Sequence, residues 1–234
     1  MIFRSFYRFD TGCAAYLVGC GGHGKCAVVD PHEQSIDVYL AFAASKGLRI
    51  THVIDTHVHA DHRSGGPELA RRSGAAYCLH ESANVALDFE SLCDGQLITL
   101  GNVRLSVVHT PGHTPESVSL LVTDLRRGDE PWFVLTGDTL FVGAVGRPDV
   151  GRVRENAGEL HDSSHERLLT LPDELEVYPA HFSGSTCGVG LSGKPSSTIG
   201  FEKRWNPLLS RSRDEFVEAL SRPPTAIERP AGVP

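Results

Sequence analysis

Ile50-Thr51-His52-Val53-Ile54-Asp55-Thr56-His57-Val58-His59-Ala60-Asp61-His62 is the stretch on which the reading of this chain turns. Its first half is apolar and reads as a buried strand. Ser64-Gly65-Gly66-Pro67 then opens a helix, so the polar cluster lies where a strand ends and a helix begins. In α/β proteins that end of the sheet is where sites are built. Imidazoles and a carboxylate converging there suit a transition metal. His57, His59 and Asp61 stand at alternate positions and share one face of an extended backbone. Asp61 and His62 are adjacent and point different ways, so one loop can serve two neighbouring metal positions. With 12 histidines in 234 residues, pairs arise by chance. Four ligand-type residues packed behind an apolar strand are a different matter.

The same local grammar recurs downstream. Leu105-Ser106-Val107-Val108-His109-Thr110 reads as a strand and ends in the turn Pro111-Gly112-His113-Thr114. Trp132-Phe133-Val134-Leu135-Thr136 ends in Gly137-Asp138-Thr139, and Leu175-Glu176-Val177-Tyr178 leads into Pro179-Ala180-His181. Each is an apolar run, then a small or turn residue, then a metal-type side chain. Singly, an Asp in a turn caps its own backbone and a His at a strand end is merely solvated. Four strand ends with one grammar point instead to a shared site.

In this order, HVHADH at 57–62, PGHTPES at 111–117, TGDTLF at 136–141 and YPAH at 178–181 resemble the metallo-β-lactamase superfamily, over roughly residues 1–210. The resemblance implies an α/β fold, the αββα sandwich: two mixed β-sheets face to face, helices outside, and the metal site at one sheet edge. The residues agree, with early strands at about 2–9, 13–19 and 25–30, a helix near 35–46, and strands and helices alternating after that.

Within that superfamily the resemblance implies two ligand schemes. In the dinuclear hydrolases, glyoxalase II among them, the positions of His57, His59 and His113 hold one metal. Those of Asp61, His62 and His181 hold the other, and that of Asp138 bridges; this implies two Zn(II) per chain. In the persulfide dioxygenases a single Fe(II) is held at His57, His113 and Asp138, a two-His-one-carboxylate face suited to dioxygen. His59, Asp61, His62 and His181 then orient ligands and water.

Later segments favour the second branch. Gly146-Arg147-Pro148-Asp149 is similar to its GR[ST]D segment, His161 to Pro172 to its helix before the last metal-site strand, and 197–207 to its closing T-x-x-x-E-x-x-x-N-P pattern. Only 53 residues follow His181, too few for the helical domain with which glyoxalase II grips its thioester. Pro148 departs from the usual Ser or Thr. Phe182-Ser183 replaces the Asp-Tyr that helps seat glutathione, and an insertion with Cys187 follows. The expected activity is oxidation of a small thiol persulfide, glutathione persulfide or similar, by O2 to sulfite and thiol. Arg147 is expected to hold a carboxylate of the thiol carrier, and Cys187 to line the substrate mouth. The alternatives are thioester hydrolysis and a metal-binding sensor without catalysis.

Composition bounds the rest. With 40% hydrophobic and 22% charged residues the chain is ordinary for a globular protein. A net charge of −7 with no long basic run argues against nucleic acid or an anionic membrane as partner. One domain over 1–222 and a loose tail over 223–234 are expected. No secretory leader or apolar span is legible, so the six cysteines are expected to be reduced in a cytoplasmic protein. Cys20-Gly21-Gly22-His23-Gly24-Lys25-Cys26 invites a zinc reading, but its glycines suit a hairpin better. A homodimer is an expectation from the family alone.

Overall fold

The computed structural model describes residues 1–148, 152–183, 185 and 190–222. Six strands form a first sheet in chain order: β1 (Ile2–Arg8), β2 (Cys13–Cys20), β3 (Lys25–Val29), β4 (Arg49–Ile54), β5 (Ala76–His80) and β6 (Glu90–Leu92). Its first two pairs are antiparallel and the rest parallel. Helix α1 (Ile36–Ser45) and helix α2 (Gly66–Ser73) make the crossovers on either side of β4. The second sheet runs β7 (Leu97–Thr99), β8 (Val103–His109), β9 (Val118–Asp124), β10 (Phe133–Gly137), β11 (Glu176–Pro179) and β12 (Ser197–Thr198). Helix α3 (Val153–Asp162), one wide helical turn (Ser163–Leu168), α4 (Ile199–Trp205) and α5 (Arg213–Ser221) complete the described chain.

The pleat sorts the apolar residues into three layers. In β2, Ala14, Tyr16, Val18 and Cys20 face inward, where they meet Val107, Leu120, Val122 and Leu135 of the second sheet. The alternate residues Ala15 and Leu17 face outward, against Ile36, Tyr39 and Ala43 of α1 and Leu69 of α2. On the far side, Val134 and Val177 pack under Leu160, Ile199 and Phe216 of α3, α4 and α5. Strands buried on both faces read as continuous apolar runs, which is why β2, β3 and β10 were legible. The architecture is the expected αββα sandwich.

Two readings need correction. Strands and helices do not alternate throughout: β5 to β10 follow one another with no helix between them. Tight turns make this possible, for instance at Gly95 and Gly101, both with positive φ. The helix expected from His161 begins earlier, at Val153, and His161 lies in its last turn. The hairpin reading of 20–26 holds, and register shows why no zinc knuckle forms. Cys20 faces the inter-sheet core while Cys26 faces the α1 side. The expected tail at 223–234 and Cys187 lie outside the described residues.

Gly112, just before His113, has φ +133°, and a Cβ there would run into the backbone of Leu160 in α3. Gly112→Ala should therefore lower stability by about 2 kcal/mol or more, combining strain with a backbone clash. Urea unfolding of the metal-free protein would measure this, and an unchanged midpoint would show that the turn and α3 separate at little cost.

Candidate metal centre

All four strand ends reach one edge of the sandwich. β4 delivers the loop 55–62, β8 the turn with His113, β10 Asp138 and β11 His181. The Nε2 atoms of His57 and His113 lie 3.8 and 3.5 Å from the same oxygen, Asp138 Oδ2. His57 and Asp138 are buried, with 1% of each residue exposed. His57 Nε2 and Asp138 Oδ2 have no hydrogen-bond partner. At metal–ligand bonds of roughly 2.0–2.2 Å, neighbouring donors sit about 3.0–3.6 Å apart. The two distances to Asp138 are within a few tenths of an ångström of that, the three donors all lie within 4.8 Å of one another, and the orphaned His57 Nε2 and Asp138 Oδ2 are what a cation would satisfy. The donor set, two imidazoles and a carboxylate, therefore fits a transition metal.

Hydrogen bonds on the far side of each ring fix which nitrogen is free. His113 Nδ1 lies 2.7 Å from the carbonyl oxygen of Arg147, to which it must donate. This leaves Nε2 as the lone pair. For His57 the argument runs through Asp30. Thr56 Oγ1 lies 3.0 Å from both Asp30 oxygens and donates there, so it accepts from His57 Nδ1 at 3.0 Å. Asp30 also accepts from the Thr56 backbone N–H at 2.7 Å and faces His59 Nε2 at 3.3 Å. His59 Nδ1 is then left buried without a partner. A backbone N–H donated by Val58 to Glu116 holds the next turn of the loop.

His59 is thus kept apart from the His57–His113–Asp138 triangle by its bond to Asp30, although its ring centroid lies 4.2 Å from that of His57. Asp61, His62 and His181 gather in a second group. The supposition that Asp61 and His62 point apart fails: His62 Nδ1 lies 3.0 Å from Asp61 Oδ1. The segment is a loop and not a strand, so strict alternation lapses. His181 joins the two groups, with Nδ1 2.6 Å from Asp138 Oδ1 and Nε2 3.1 Å from Asp61 Oδ2. The second contact is off the hydrogen-bonding direction, leaving Nε2 without a bonded partner.

The charges follow from these contacts. Burial drives the His57 imidazole well below its ordinary value, and neighbouring His59 adds to this. Burial alone would also depress His59, but the bond to Asp30 and the charges of Asp30 and Asp55 override it and raise it to about 9. Burial would raise Asp138, yet His181 and His57 hold its carboxyl below the usual range. Burial opposes a charge on His181 too, but Asp138 and Asp61 lift it well above its usual value.

Residues 8–181 match the metallo-beta-lactamase superfamily. The chain belongs to that superfamily. It is 30% identical over 232 residues to the human protein named persulfide dioxygenase ETHE1, mitochondrial, covering 94% of this chain and 80% of the relative. It is 31% identical to a hydroxyacylglutathione hydrolase of Rhodospirillum rubrum, covering 88% and 85% respectively. The crystal structure of ETHE1 from Myxococcus xanthus superposes with a TM-score of 0.82 at 33% identity, covering 94% of this chain and 90% of that one. Superfamily membership makes this an enzyme-type scaffold with a metal-binding edge. No helix among the described residues is long and apolar enough to cross a membrane.

The segments read as dioxygenase-like acquire structural roles. A Cβ at Gly146 would strike the Asp138 carbonyl oxygen, so only glycine lets the chain pass there. Arg147 serves His113 through its backbone, while its side chain is exposed. In the closing pattern, Glu202 is fully buried. It accepts from the Gly143 N–H at 2.9 Å, from Asn206 at 3.0 Å and from the Ser197 hydroxyl at 2.5 Å. Asn206 donates to the Ala144 carbonyl. Glu202 and Asn206 thus clamp the loop that leaves Asp138.

Sequence reasoning passed over Asp30, although Ala27-Val28-Val29-Asp30-Pro31 obeys the same strand-end grammar. It also passed over Cys13, whose Sγ belongs with Asp61, His62 and His181, and for which no local signal exists.

Asp30→Asn keeps the shape of the side chain but removes the charge facing His59. In metal-free protein the His59 resonance, followed by NMR, should move down from a midpoint near 9, because Asp55 is then the main charge left to oppose burial. The sign for stability follows. A histidine raised above its unfolded value of about 6.5 stabilises fully below that pH, and loses the contribution as pH climbs through about 9. Wild-type metal-free protein should lose stability over that window more steeply than Asp30→Asn. Metal affinity of the variant should fall roughly tenfold or more. An unmoved His59 titration would remove Asp30 from this role.

Proposed function

We propose that this chain is a persulfide dioxygenase. Fe(II) held by His57, His113 and Asp138, one per chain, serves the O2-dependent oxidation of a low-molecular-weight thiol persulfide. The observation that carries the reading is the convergence of His57 Nε2 and His113 Nε2 on Asp138 Oδ2, while His181 bonds to the other oxygen of that carboxylate. The likeness to the human and Myxococcus proteins supports it. The overall change is RSSH + O2 + H2O → RSH + sulfite + 2 H⁺. The outer sulfur gives up four electrons, and dioxygen takes them.

When bound, Fe(II) supplies open coordination positions and one-electron chemistry toward sulfur and dioxygen. The chain does the rest. Burial of His57 and Asp138 keeps bulk water from the reacting groups. The Thr56 and Arg147 contacts aim the two imidazoles. Asp61, held ionised by His181 and His62 against the effect of burial, anchors those two imidazoles at the mouth of the site. Arg147, whose carbonyl holds His113 and whose side chain is exposed, would meet a carboxylate of the carrier, glutathione or a similar thiol. Cys187 is proposed to line the same mouth. Partners are then the persulfide and O2, with no nucleic acid or membrane required and a homodimer as the proposed assembly.

The second reading is a glyoxalase II-like hydrolase with two Zn(II) per chain, favoured by the gathered Asp61–His62–His181 group and the Rhodospirillum relative. An oxygen electrode and an S-lactoylglutathione assay on one preparation separate the two. Oxygen uptake should require added persulfide and match the sulfite formed, with weak thioester cleavage. Alanine at His57, His113 or Asp138 should remove most iron and all uptake. His62→Ala and His181→Ala should keep iron but turn over slowly. Fast thioester cleavage without oxygen uptake would end the dioxygenase reading, and metal binding with neither activity would indicate a sensor.

Arg147→Ala should raise KM more than it lowers kcat, with iron unchanged. A charge-assisted bond at an exposed site is worth the low end of its range, about 1.5 kcal/mol, or roughly tenfold in KM. Wild-type kinetics on several persulfides would place the carrier elsewhere.

A further inference from the structure

Two histidines outside the metal centre meet across the sandwich. His80 ends β5 in the first sheet and His109 ends β8 in the second. Their rings lie flat on one another, with centroids 3.9 Å apart and planes 9° from parallel. His80 is buried. The Ser82 backbone N–H donates to its Nδ1 at 3.3 Å, so that nitrogen keeps its lone pair, and the Ser82 hydroxyl donates to it at 2.8 Å. Burial and the nearby His109 hold the His80 imidazole below its ordinary value. His80 therefore brings no charge to the stack near neutral pH.

His109 is fixed from two further sides. Its Nε2 donates to the Pro115 carbonyl at 2.8 Å. Its backbone N–H donates to Asp94 at 2.8 Å, and Arg167 donates to both oxygens of that carboxylate at 2.7 and 2.8 Å. The ring bond closes residues 109–115 into a loop, and His113 stands inside it. The trailing end of this turn is fastened to the loop that carries His57. Val118 N–H donates to the Thr56 carbonyl at 2.8 Å, and Val58 N–H to Glu116 at 2.9 Å. Ser163 donates to the Pro111 carbonyl at 2.7 Å, and His113 to that of Arg147. Those last two contacts hold the turn to its own half of the sandwich and move with it.

We propose that His80 and His109 are positioning residues for the metal centre, and that their stack sets where His113 stands relative to His57. Among the described residues, the donor groups gathered at the metal edge include neither ring. The bonds at 116 and 118 anchor one end of the turn to the first sheet and leave it free to rock about that line. The stack anchors the other end to the same sheet and removes the rocking. A site needs its donors held within about 0.5 Å by locked side chains. The inference rests on His113 being a ligand, which the one-metal and two-metal readings share.

Co(II) binding to the metal-free full chain tests it, by affinity against a competing chelator and by the visible ligand-field spectrum, which reports ligand geometry. His109→Leu removes the flat ring and its bond to Pro115. Its Co(II) affinity should fall roughly tenfold, and the spectrum of the loaded variant should shift. His109→Gln keeps an N–H of similar reach and should recover most of the affinity. Urea unfolding of the metal-free proteins separates positioning from stability. A lowered midpoint in His109→Leu with wild-type affinity and spectrum would overturn the proposal. If His109→Leu does not fold, His80→Ala takes its place under the same criteria, with His80→Phe as the flat-ring rescue. His113→Ala is the reference. Co(II) binding unchanged in His113→Ala would overturn the metal reading and this inference together, whereas loss there without loss in His109→Leu would overturn this inference alone.

Discussion

Asp30 is the residue on which the metal edge depends. Its carboxylate is buried at the end of β3, beside the end of β4, and holds three polar atoms of the neighbouring loop. A buried carboxylate with fewer partners would be costly. The loop 55–59 is therefore bound to the conformation that supplies them. That conformation decides that Thr56 donates to Asp30, that His57 must donate to Thr56, and that His57 Nε2 is free. Asp30 itself adopts φ 50°, unusual for a residue with a Cβ. Local strain of this kind persists where surrounding contacts over-determine the backbone, and here the surrounding contacts are those that aim the donors.

The second constraint is how the two sheets meet. A sandwich held only by apolar side chains is free to slide by fractions of an ångström, since the hydrophobic effect is non-directional. The backbone bonds between 12–14 and 180–182 remove that freedom at one corner. Tyr16 adds a third link on the same edge, donating to the Pro179 carbonyl at 2.6 Å. Those links lie beside His181 and so fix the distance between loop 57–62 of one sheet and Asp138 and His181 of the other. Placing the metal edge at this sewn corner lets donors from two sheets hold sub-ångström register without a covalent tie.

Much of this was legible in sequence for a physical reason. A strand buried on both faces must be apolar throughout, as β10 is; β4, β8 and β11 bury fewer positions but keep enough apolar residues to show as runs, and a ligand ending such a run stands out. Short strands such as β6, β7 and β12 carry too few residues to show a period, and the wide turn after α3 has no marker. Asp30 was legible in principle, since its strand ends as the others do. Cys13 was not, because its importance comes from residues 168 positions away that only the folded chain brings beside it. The closing T-x-x-x-E-x-x-x-N-P pattern was recognised without its role being visible. Its Glu and Asn clamp a loop and do not touch the metal donors, a distinction that motif spacing cannot express.

The choice between oxidation and hydrolysis turns on how the same seven donors are partitioned. The length of chain after His181 discriminates weakly, since the alignment spans 85% of a hydroxyacylglutathione hydrolase. Partition is the better criterion. A bridging role for Asp138 needs one oxygen turned to each metal. Here Oδ2 faces the two imidazoles of the first group while Oδ1 is taken by the His181 N–H at 2.6 Å. A charge-assisted bond that short in a buried place is strong. A metal seeking Oδ1 must break it and leave the His181 N–H unsatisfied. A metal seeking His181 Nε2 need not. The arrangement therefore gives Asp138 Oδ2 to the two imidazoles of the first group and leaves Oδ1 to His181, so a bridging role would require the carboxylate to exchange a strong hydrogen bond for a metal.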